Sequence, residues 1–259
     1  MNDLAGKWGI IIGGSSGLGL ASAQKLASHG MNLIIIHRDR KSDMPRIQDD
    51  FTKISEQVQL KHFNVDALNK DKRNLLLDEI EEVCGKSSIY LCLHSIAKGN
   101  LKAIQKEGSG LNSDDFSLTI QAMGVNYYEW VMDLLQRDLF ANPARTIAFT
   151  SEGSQRVHPY YAAVSAAKAT LESISRSLAL ELASNGITSN CVMAGTTDTR
   201  AFRMIPNSDE LEMWSKQRNP YNRLTTPDEV ANAVYLLCRP EANWINGIIL
   251  QVDGGEHLR

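Results

Sequence analysis

The sequence predicts a single α/β domain built on a doubly wound parallel sheet of about seven strands, with helices on both faces. Two observations favour this class. Short runs rich in β-branched residues alternate with longer helical patterns along the 259 residues, which is typical of repeated βαβ units. The strand runs are apolar at nearly every position, as expected where helices cover both faces of a sheet. No internal repeat or linker interrupts the pattern, so we expect one domain over residues 1–259.

The elements follow one another in chain order. The seven predicted strands are 7–13, 31–37, 58–65, 88–95, 145–151, 187–193 and 247–254. The two clearest helical patterns cover 113–139 and 161–184. The least regular stretch, 196–226, lies between a strand and a helix. Because connections of this length in a compact domain are often functional, we expect it to be a mobile substrate lid.

Composition and charge argue against several classes of function. A net charge of −3 and a pI near 6.1 give no electrostatic basis for binding nucleic acid. The apolar runs are far too short to span a membrane, and the N-terminal stretch lacks a signal-peptide pattern. The four cysteines are scattered without a Cys-x-x-Cys pair, so we expect a reduced, cytoplasmic protein. The six histidines are dispersed as well, and no metal site is predicted.

A glycine-rich loop follows the first strand and opens a helix. Gly13, Gly17 and Gly19 form the pattern GxxxGxG, which suits a tight turn and a close backbone approach to a dinucleotide. A P-loop is excluded because Leu20 and Ala21 stand where Lys and Ser or Thr are required. The loop therefore predicts a Rossmann-like pyrophosphate site at the helix N-terminus. Its expected cofactor-binding residues are Gly13, Ser15, Ser16, Gly17, Leu18 and Gly19.

The end of the second strand indicates which dinucleotide is bound. A site for NAD usually carries an acid here for the ribose 2′-hydroxyl, whereas this chain has His37 and Arg38. Asp39, Arg40 and Lys41 follow. A cationic cluster suits a 2′-phosphate, because a guanidinium pairs with it bidentately. The segment favours NADPH, and the alternative is a solvated charged loop.

With these parts in place, the chain resembles the short-chain dehydrogenase/reductase family over essentially its full length. "GGSSGLG" matches the family's cofactor loop, and "INGIILQVDGG" resembles its last strand. "LHSIAKG" stands where the family has Asn-Asn-Ala-Gly, and "NCVMAGTTDT" resembles the segment that clamps the nicotinamide. The resemblance implies further cofactor contacts from Asn64, Val65, Ser95, Ile96, Ala97, Lys168, Gly195, Thr197 and Thr199. It also implies a homotetramer or homodimer.

The same resemblance implies four catalytic residues. Asn126 in "GVNYYEW" matches the helix asparagine that supports a proton relay. Ser151 lies 17 residues before Lys168, which is the spacing of the family's catalytic serine. Tyr161 supplies the hydroxyl. For Ser151, orienting the substrate and merely ending a strand are equally open.

Two departures from the family pattern point to a subgroup. Tyr161 precedes Lys168 by seven residues rather than four, and Val164 occupies the usual tyrosine position. "HSI", residues 94–96, replaces Asn-Asn-Ala. Both features resemble NADPH-dependent enoyl-acyl-carrier-protein reductases. Those enzymes often carry a tyrosine at the position of Ser151, where this chain has serine.

The shifted tyrosine has a chemical rationale. Spacings of four and seven both return to one helix face, so Tyr161 and Lys168 can share a pocket about 10 Å apart along the axis. An enoyl thioester takes hydride at C3, while negative charge gathers on the thioester oxygen two carbons away. The stabilising hydroxyl must then lie further from the nicotinamide than in a ketone reductase. Tyr160 is rotated about 80° from Lys168, and Pro159 predicts that Tyr161 lies at the helix entry.

The sequence therefore predicts an NADPH-dependent reductase of a trans-2-enoyl thioester, with the acyl group carried on acyl carrier protein. A ketoreductase of a β-ketoacyl thioester or a secondary-metabolite ketone is the alternative enzyme, because Ser151, Asn126 and Lys168 fit it, although Val164 opposes it. A catalytically silent dinucleotide-binding protein is the alternative of a different class.

Overall fold

Seven strands form one sheet in the computed structural model, which describes residues 2–259. They are β1 (Trp8–Ile12), β2 (Asn32–His37), β3 (Leu60–Asn64), β4 (Ile89–His94), β5 (Phe140–Ser151), β6 (Ile187–Ala194) and β7 (Ile249–Val252). Their order is β3-β2-β1-β4-β5-β6-β7, and every neighbouring pair is parallel. The predicted seven-stranded, doubly wound sheet is confirmed.

Helices cover both faces of this sheet, as predicted. They are α1 (Gly17–Ser28), α2 (Met44–Ser55), α3 (Lys70–Cys84), α4 (Ser113–Ile120), α5 (Asn126–Gln136), α6 (Ala162–Glu181), α7 (Arg200–Arg203), α8 (Ser208–Arg218) and α9 (Pro227–Leu237). Apolar residues of α1, α2 and α9 share one buried cluster with one face of the strands. Those of α3, α5 and α6 share a second cluster with the opposite face.

The strand order changes direction between β1 and β4. From β1 the chain builds outward to β2 and β3 on one side, then returns to place β4 on the other. The connections that leave the carboxyl ends of β1 and β4 therefore diverge, which opens a crevice between them. In open α/β sheets this crevice is where ligands bind.

The long helix predicted over 113–139 is interrupted. A π-helical turn, Gln121–Val125, joins α4 to α5, and β5 begins at Phe140, five residues before the predicted strand. Gly124 in this turn packs against α6: a Cβ there would lie 3.1 Å from the Thr170 Cγ2 atom and 3.2 Å from the Ala167 carbonyl oxygen. Single π turns of this kind are frequent at functional sites. The helix predicted over 161–184 is α6, which is followed by a short 3₁₀ turn, Ala183–Asn185.

The 196–226 segment is more regular than the sequence predicts, because it contains α7 and α8. Its ends are held together, since Thr197 and Thr225 form a parallel bridge and the Thr225 amide donates to the Thr196 carbonyl at 3.0 Å. Mobility of this segment stays a prediction. Nowhere in residues 2–259 is a helix long and apolar enough to cross a membrane. The same residues hold no group of three or more His, Cys, Asp or Glu side chains that could bind a metal ion.

Candidate active site

One cavity of about 1040 Å³ opens at the carboxyl ends of β1, β4, β5 and β6. Most of the residues predicted for the site line it: Gly13, Ser15, Ser16, Gly17, Leu18, His37, Arg38, Val65, Ser95, Ile96, Ala97, Ser151, Tyr161, Lys168, Gly195, Thr197 and Thr199. Three predicted residues, Gly19, Asn64 and Asn126, lie outside its lining. The fold thus brings the predicted cofactor and catalytic residues to one place, although they come from seven separate parts of the chain.

The glycine loop is shaped by close backbone contacts. Gly13 has φ +92°, and a Cβ there would lie 2.6 Å from the Ser95 carbonyl oxygen. A Cβ at Gly19 would lie 2.2 Å from the Gly13 carbonyl oxygen, so Gly19 packs the first turn of α1 onto the loop. Gly19 therefore supports the shape of the loop although it does not line the cavity itself. At the N-terminus of α1 the N-cap residue Ser16 makes no side-chain capping hydrogen bond, so this helix end, which adjoins the cavity, is suited to bind an anion.

Asn64 holds the end of β2 without lining the cavity. Its side-chain oxygen accepts from the Asp39 amide at 3.0 Å, and its amide nitrogen donates to the Asp39 carbonyl at 3.1 Å. These two bonds hold the loop that carries Arg38 and Arg40 in place. Any effect of Asn64 on a bound cofactor would therefore act through that loop.

His37 adds no positive charge to this end of the cavity. Its ring is 3% exposed, with Nδ1 bonded to Asp39 at 2.9 Å and Nε2 lying 3.3 Å from His62 Nδ1. Burial lowers the pKa of His37, although Asp39 opposes this effect, and burial likewise lowers the pKa of His62. His37 is therefore neutral at pH 7, and the cationic character predicted for this cluster comes from the arginines alone.

Two arginines line this end of the cavity. Arg38 Nη1 donates to the Asp66 carboxylate at 2.6 Å, and both side chains are accessible to solvent. Asp66 is held in its ionised form, because hydrogen bonds from the Leu68 amide and Arg38 lower its pKa against the effect of burial. Arg40 lines the same part of the cavity and is exposed. Within residues 2–259 it forms no ion pair, so its guanidinium can meet a phosphate.

The opposite end of the cofactor region is formed by the segment after β6. A Cβ at Gly195 would lie 2.4 Å from Thr225 Oγ1, so the chain here passes close to the residues just before α9. Thr197 Oγ1 donates back to the Gly195 carbonyl at 2.8 Å, and Thr199 Oγ1 caps α7 by accepting from the Phe202 amide at 3.2 Å. These hydrogen bonds leave the backbone of this segment facing the cavity.

Tyr161 lies at the entrance of α6, as Pro159 predicts. It is the N-cap residue of the helix, and its hydroxyl is 3.4 Å from Ser151 Oγ. Burial raises the pKa of Tyr161, so the hydroxyl keeps its proton, although Ser151 opposes the shift. Gly153 makes room for this ring, because a Cβ there would lie 2.5 Å from Tyr161 Cε1. The sequence analysis did not identify Gly153; its only local signal is its position two residues after Ser151.

Lys168 reaches the same cavity from the second turn of α6. Its side chain is 5% exposed, and Nζ donates to the Phe149 carbonyl at 2.7 Å. Burial lowers the pKa of Lys168 to about 8. Val164, which occupies the tyrosine position of the four-residue spacing, is buried and also lines the cavity. The only tyrosine hydroxyl on this face of α6 that adjoins Ser151 is therefore Tyr161, within residues 2–259.

Asn126 is engaged on the far side of Lys168. It is fully buried, its amide nitrogen donates to the Ala67 carbonyl and to Glu129, both at 3.1 Å, and its oxygen lies 3.3 Å from His94 Nε2. Burial lowers the pKa of His94 to about 3, with a further contribution from Lys168, so the ring is neutral. The structure thus joins Asn126 to the "HSI" segment and keeps it from direct contact with the cavity.

The rest of the cavity is an apolar chamber that the sequence analysis did not identify. Its apolar side chains come from several loops and from α7 and α8: Leu101, Met123, Val157, Phe202, Met204, Ile205, Leu211 and Trp214. His158 lies between Tyr161 and Trp214, with ring centroids 6.2 Å and 5.8 Å apart and both contacts edge-on. Burial lowers the pKa of His158, so it is a neutral polar group in an apolar wall.

A buried ion-pair cluster fixes α8 to the floor of this chamber. Arg218 donates to both Glu152 oxygens, at 3.0 Å and 2.7 Å, and to Glu256 at 3.0 Å. Its guanidinium also lies 4.0 Å from the centre of the Trp214 ring. At the other end of α8, Arg203 is bound by three carboxylates, including that of Glu212 at 2.6 Å. The ion pairs of Arg218 thus join residues that are distant in sequence, and those of Arg203 with Asp209 and Glu212 join α7 to α8.

Comparisons with known proteins agree with this architecture. Residues 12–257 match the family model described as Enoyl-(Acyl carrier protein) reductase. The chain is 28% identical over 179 residues to enoyl-acyl-carrier-protein reductase (NADH) 1 of Rhizobium meliloti (strain 1021), covering 69% of this chain and 64% of that protein. It is 26% identical over 256 residues to the 3-oxoacyl-acyl-carrier-protein reductase FabG of Chlamydia muridarum, covering 98% and 99%. The crystal structure of FabI from Candidatus Liberibacter asiaticus superposes with a TM-score of 0.88 at 26% identity, covering 100% of this chain and 98% of that one.

Proposed function

We propose that this chain, which belongs to the short-chain dehydrogenase/reductase family described as Enoyl-(Acyl carrier protein) reductase, reduces the C=C bond of a trans-2-enoyl thioester with NADPH. One observation carries the proposal. Tyr161 at the entrance of α6 and Lys168 in its second turn both line the cavity, while the position for a ketone-reducing tyrosine holds Val164. The Tyr161 ring also lies near His158 in the wall of the apolar chamber, with ring centroids 6.2 Å apart, so its hydroxyl can serve a substrate bound there.

The cavity suits a nicotinamide dinucleotide, which members of the family bind. At Gly13 and Gly195 a side chain would collide with backbone or side-chain atoms. Backbone without side chains therefore borders the cofactor region at both of its ends and forms a cradle for the ligand. The N-terminus of α1 would hold the pyrophosphate, and Ser95, Ile96 and Thr199 would adjoin the nicotinamide end. When bound, the cofactor supplies the hydride.

The chain's own residues then stabilise charge on the substrate. In a conjugated thioester the negative charge that follows hydride addition at C3 gathers on the carbonyl oxygen. Tyr161, whose burial keeps it protonated, would donate a hydrogen bond to that oxygen. A proton taken up from solvent at C2 of the enolate would then complete the saturated thioester. Lys168 would bind the cofactor ribose hydroxyls and add positive potential nearby. The apolar chamber would exclude water and hold the acyl chain.

The proposed preference for NADPH is supported by Arg38 and Arg40. Both line the cavity at the end of β2, and Arg40 is exposed and without an ion pair in residues 2–259. A 2′-phosphate between them would gain charge-assisted hydrogen bonds. His37 does not contribute, because its ring is buried and neutral. The Rhizobium meliloti relative is named for NADH, so cofactor choice is an independent part of the proposal.

A ketoreductase is the second candidate, and one observation favours it. Ser151 Oγ lies 3.4 Å from the Tyr161 hydroxyl, so a serine and a tyrosine hydroxyl face the same space beside Lys168. Two hydroxyls of this kind could polarise a ketone oxygen. The FabG relative matches nearly the whole chain at an identity similar to that of the FabI structure, so overall similarity does not separate the two reactions.

The test offers purified protein NADPH with a trans-2-enoyl thioester and, separately, with a β-ketoacyl thioester of the same chain length. NADPH oxidation is followed, and the product is identified by mass and by the position of the new hydrogens. The proposal expects the saturated thioester from the first substrate. Turnover of the β-ketoacyl substrate alone, giving a 3-hydroxy product, establishes the second candidate. Binding of NADPH with no turnover of either substrate would indicate a non-catalytic dinucleotide-binding protein.

The remaining parts of the proposal concern partners and location. We propose that acyl carrier protein presents the substrate and that the chain assembles as a homotetramer, with a homodimer as the alternative. The edge strand β7 adjoins exposed apolar side chains, including Trp244 and Leu180, which supports self-association. All four cysteines are free thiols, which supports a reducing, cytoplasmic location. Light scattering and a comparison of carrier-protein with coenzyme A substrates would test the first two points.

A further inference from the structure

The end of β5 makes a paired contact with α6 that the proposed reaction does not yet use. The Phe149 carbonyl accepts from Lys168 Nζ at 2.7 Å. The next residue, Thr150, donates from Oγ1 to the Glu172 carboxylate at 2.5 Å. Adjacent residues of one strand therefore hold two side chains of one helix, and one of the two is the lysine of the active site.

Glu172 is a buried acid without an assigned role. Only 6% of its surface is exposed, and it lies four residues after Lys168, so the two side chains share one face of α6. Burying a carboxylate is costly unless it is paired or hydrogen-bonded. Thr150 supplies a hydrogen bond, but one neutral donor does not balance a full charge. The nearest functional reason for an anion at this place is the buried ammonium group of Lys168.

The other titratable groups around Lys168 do not supply this charge. Burial lowers the pKa of Lys168 to about 8, while Cys191 on β6 and Glu172 act in the opposite direction. Burial raises the pKa of Cys191 to about 11, so its thiol is neutral near pH 8. His94 on β4 is neutral, and Tyr161 on the cavity side is protonated. Glu172 is the one carboxylic acid of this set.

We propose that Glu172 is a positioning residue that keeps Lys168 in its ammonium form at the cofactor, with Thr150 directing the carboxylate toward the end of β5. The proposal depends on the proposed function only through the contact of Lys168 with the cofactor. An ammonium group as deeply buried as this one loses its proton readily unless an anion lies nearby. Lys168 without its proton would add no positive potential and would bind the ribose hydroxyls less firmly.

The sign of the expected effect follows from the charges. Burial lowers the pKa of Lys168 and the negative charge of Glu172 raises it. Removing that charge should therefore let the pKa of Lys168 fall further below about 8. The cation, and with it firm NADPH binding, is then lost at a lower pH than in the unaltered protein. We expect the basic limb of the binding profile to move down by about one pH unit.

The test uses Glu172→Gln, because an amide still accepts the Thr150 hydrogen bond but carries no charge. NADPH affinity is measured by nicotinamide fluorescence between about pH 6 and 10, which spans the titration of the lysine. The expected result is the shifted basic limb with little change in Tm. Glu181→Gln is the matched control, since it removes the same charge from an exposed position at the end of the same helix and should shift nothing.

A purely structural tie between β5 and α6 gives a different result. In that case Glu172→Gln leaves the pH profile unchanged because the amide preserves the bond, and the proposal is overturned. Should Glu172→Gln fail to fold, Glu172→Asp withdraws the carboxylate by one methylene. The limb should then move in the same direction by a few tenths of a unit, and an unmoved limb would also overturn the proposal. Because NADPH binding needs no acyl substrate, a shifted limb in a protein that reduces no enoyl thioester would support this inference while rejecting the proposed function.

Discussion

The two ends of the cavity are built by different means. The cofactor end is formed mainly by backbone at the carboxyl ends of β1, β4 and β6, with glycines where a side chain would collide. The substrate end is formed by apolar side chains of loops and of α7 and α8. Short local sequence patterns are enough to form the cofactor end. The substrate end is held by the Arg218 cluster, whose contacts with Glu152 and Glu256 cross 66 and 38 residues of chain.

This difference predicts how each end responds to change. A backbone cradle tolerates few substitutions, because a single Cβ fills space that the loop or the ligand occupies. A wall of apolar side chains tolerates exchanges of similar volume, with gradual effects. Tyr161 and Lys168 lie where the two ends meet, so substitutions there should have the largest effect on turnover.

The largest effect is expected from Tyr161→Phe. Turnover of the enoyl thioester should fall about 10²–10³-fold, because one donor to the developing negative charge is lost. NADPH binding should be unchanged, since that charge exists only along the reaction path. Steady-state kinetics together with fluorescence titration of NADPH measure both quantities. Lys168→Ala, in contrast, should weaken cofactor binding as well as turnover.

Tyr160→Phe is the control for this experiment. Tyr160 precedes Tyr161 and also lines the cavity, but it has φ +64°, and the Ser151 hydroxyl is bonded to Tyr161 instead. Its hydroxyl should therefore be dispensable, with an effect on turnover below about threefold. An equal loss of turnover in the two variants would mean that the hydroxyl of Tyr161 has no special position. Tyr161 would then not mark the place where the cofactor end and the substrate end meet.

The next effect concerns the backbone cradle. Gly13→Ala should lower the free energy of unfolding by roughly 2–4 kcal/mol and abolish tight NADPH binding, because positive φ and a collision with the Ser95 carbonyl act together. Gly85→Ala is the matched control. Gly85 also has positive φ, +76°, but a Cβ there meets nothing within 4 Å. With ψ 173°, Gly85 has backbone strain of its own on substitution, so the control should cost roughly 1–3 kcal/mol and leave binding intact. Urea denaturation of both variants compares their free energies of unfolding. It tests whether the collision with the Ser95 carbonyl adds to the cost of positive φ at Gly13.

A smaller effect is expected from the arginines at the end of β2. Arg38→Ala and Arg40→Ala should each weaken NADPH binding by about 1.5–3 kcal/mol, which is about 10- to 150-fold, and hardly affect NADH. Arg40 should show the larger loss, because Arg38 is already paired with Asp66. Arg46→Ala, which removes an exposed arginine from α2, should affect neither cofactor. Equal use of NADPH and NADH by the unaltered protein would reject this preference.

The smallest effect concerns the substrate end. The bridge between Thr197 and Thr225 and the Arg218 cluster anchor the base of the 196–226 segment, so motion should be confined to its outer part, residues 199–214. Hydrogen exchange there should slow several-fold when NADPH or substrate binds. Exchange that is already slow in the free protein and unaffected by ligand would show that this wall is as rigid as the cofactor end.

Much of the cofactor end could be predicted from the sequence because its signals are local. The apolar runs determine the strands, and the glycines after β1 determine the loop that follows it. The spacing of Tyr161 and Lys168 determines that they share a face of α6, since helix periodicity is a local property. Parallel strands then bring their carboxyl ends to one edge of the sheet, so motifs far apart in the chain meet there.

Other features were decided only by the tertiary structure. His37 is neutral because it is buried, with the rings of Phe51 and His62 packed beside it, and Asn126 lies outside the cavity because Ala67, Glu129 and His94 take its hydrogen bonds. No local pattern indicates these partners.

The same holds for the substrate end and for the surroundings of the lysine. Gly153 is needed only because the Tyr161 ring packs against it, and the Glu172 carboxylate meets Thr150 only because α6 lies across the end of β5. The sequence by itself determined the strands, the glycine loop and the helix face that carries Tyr161 and Lys168. The tertiary structure decided which of these side chains carry charge and which are free to bind, because burial and hydrogen-bond partners come from segments distant in the chain.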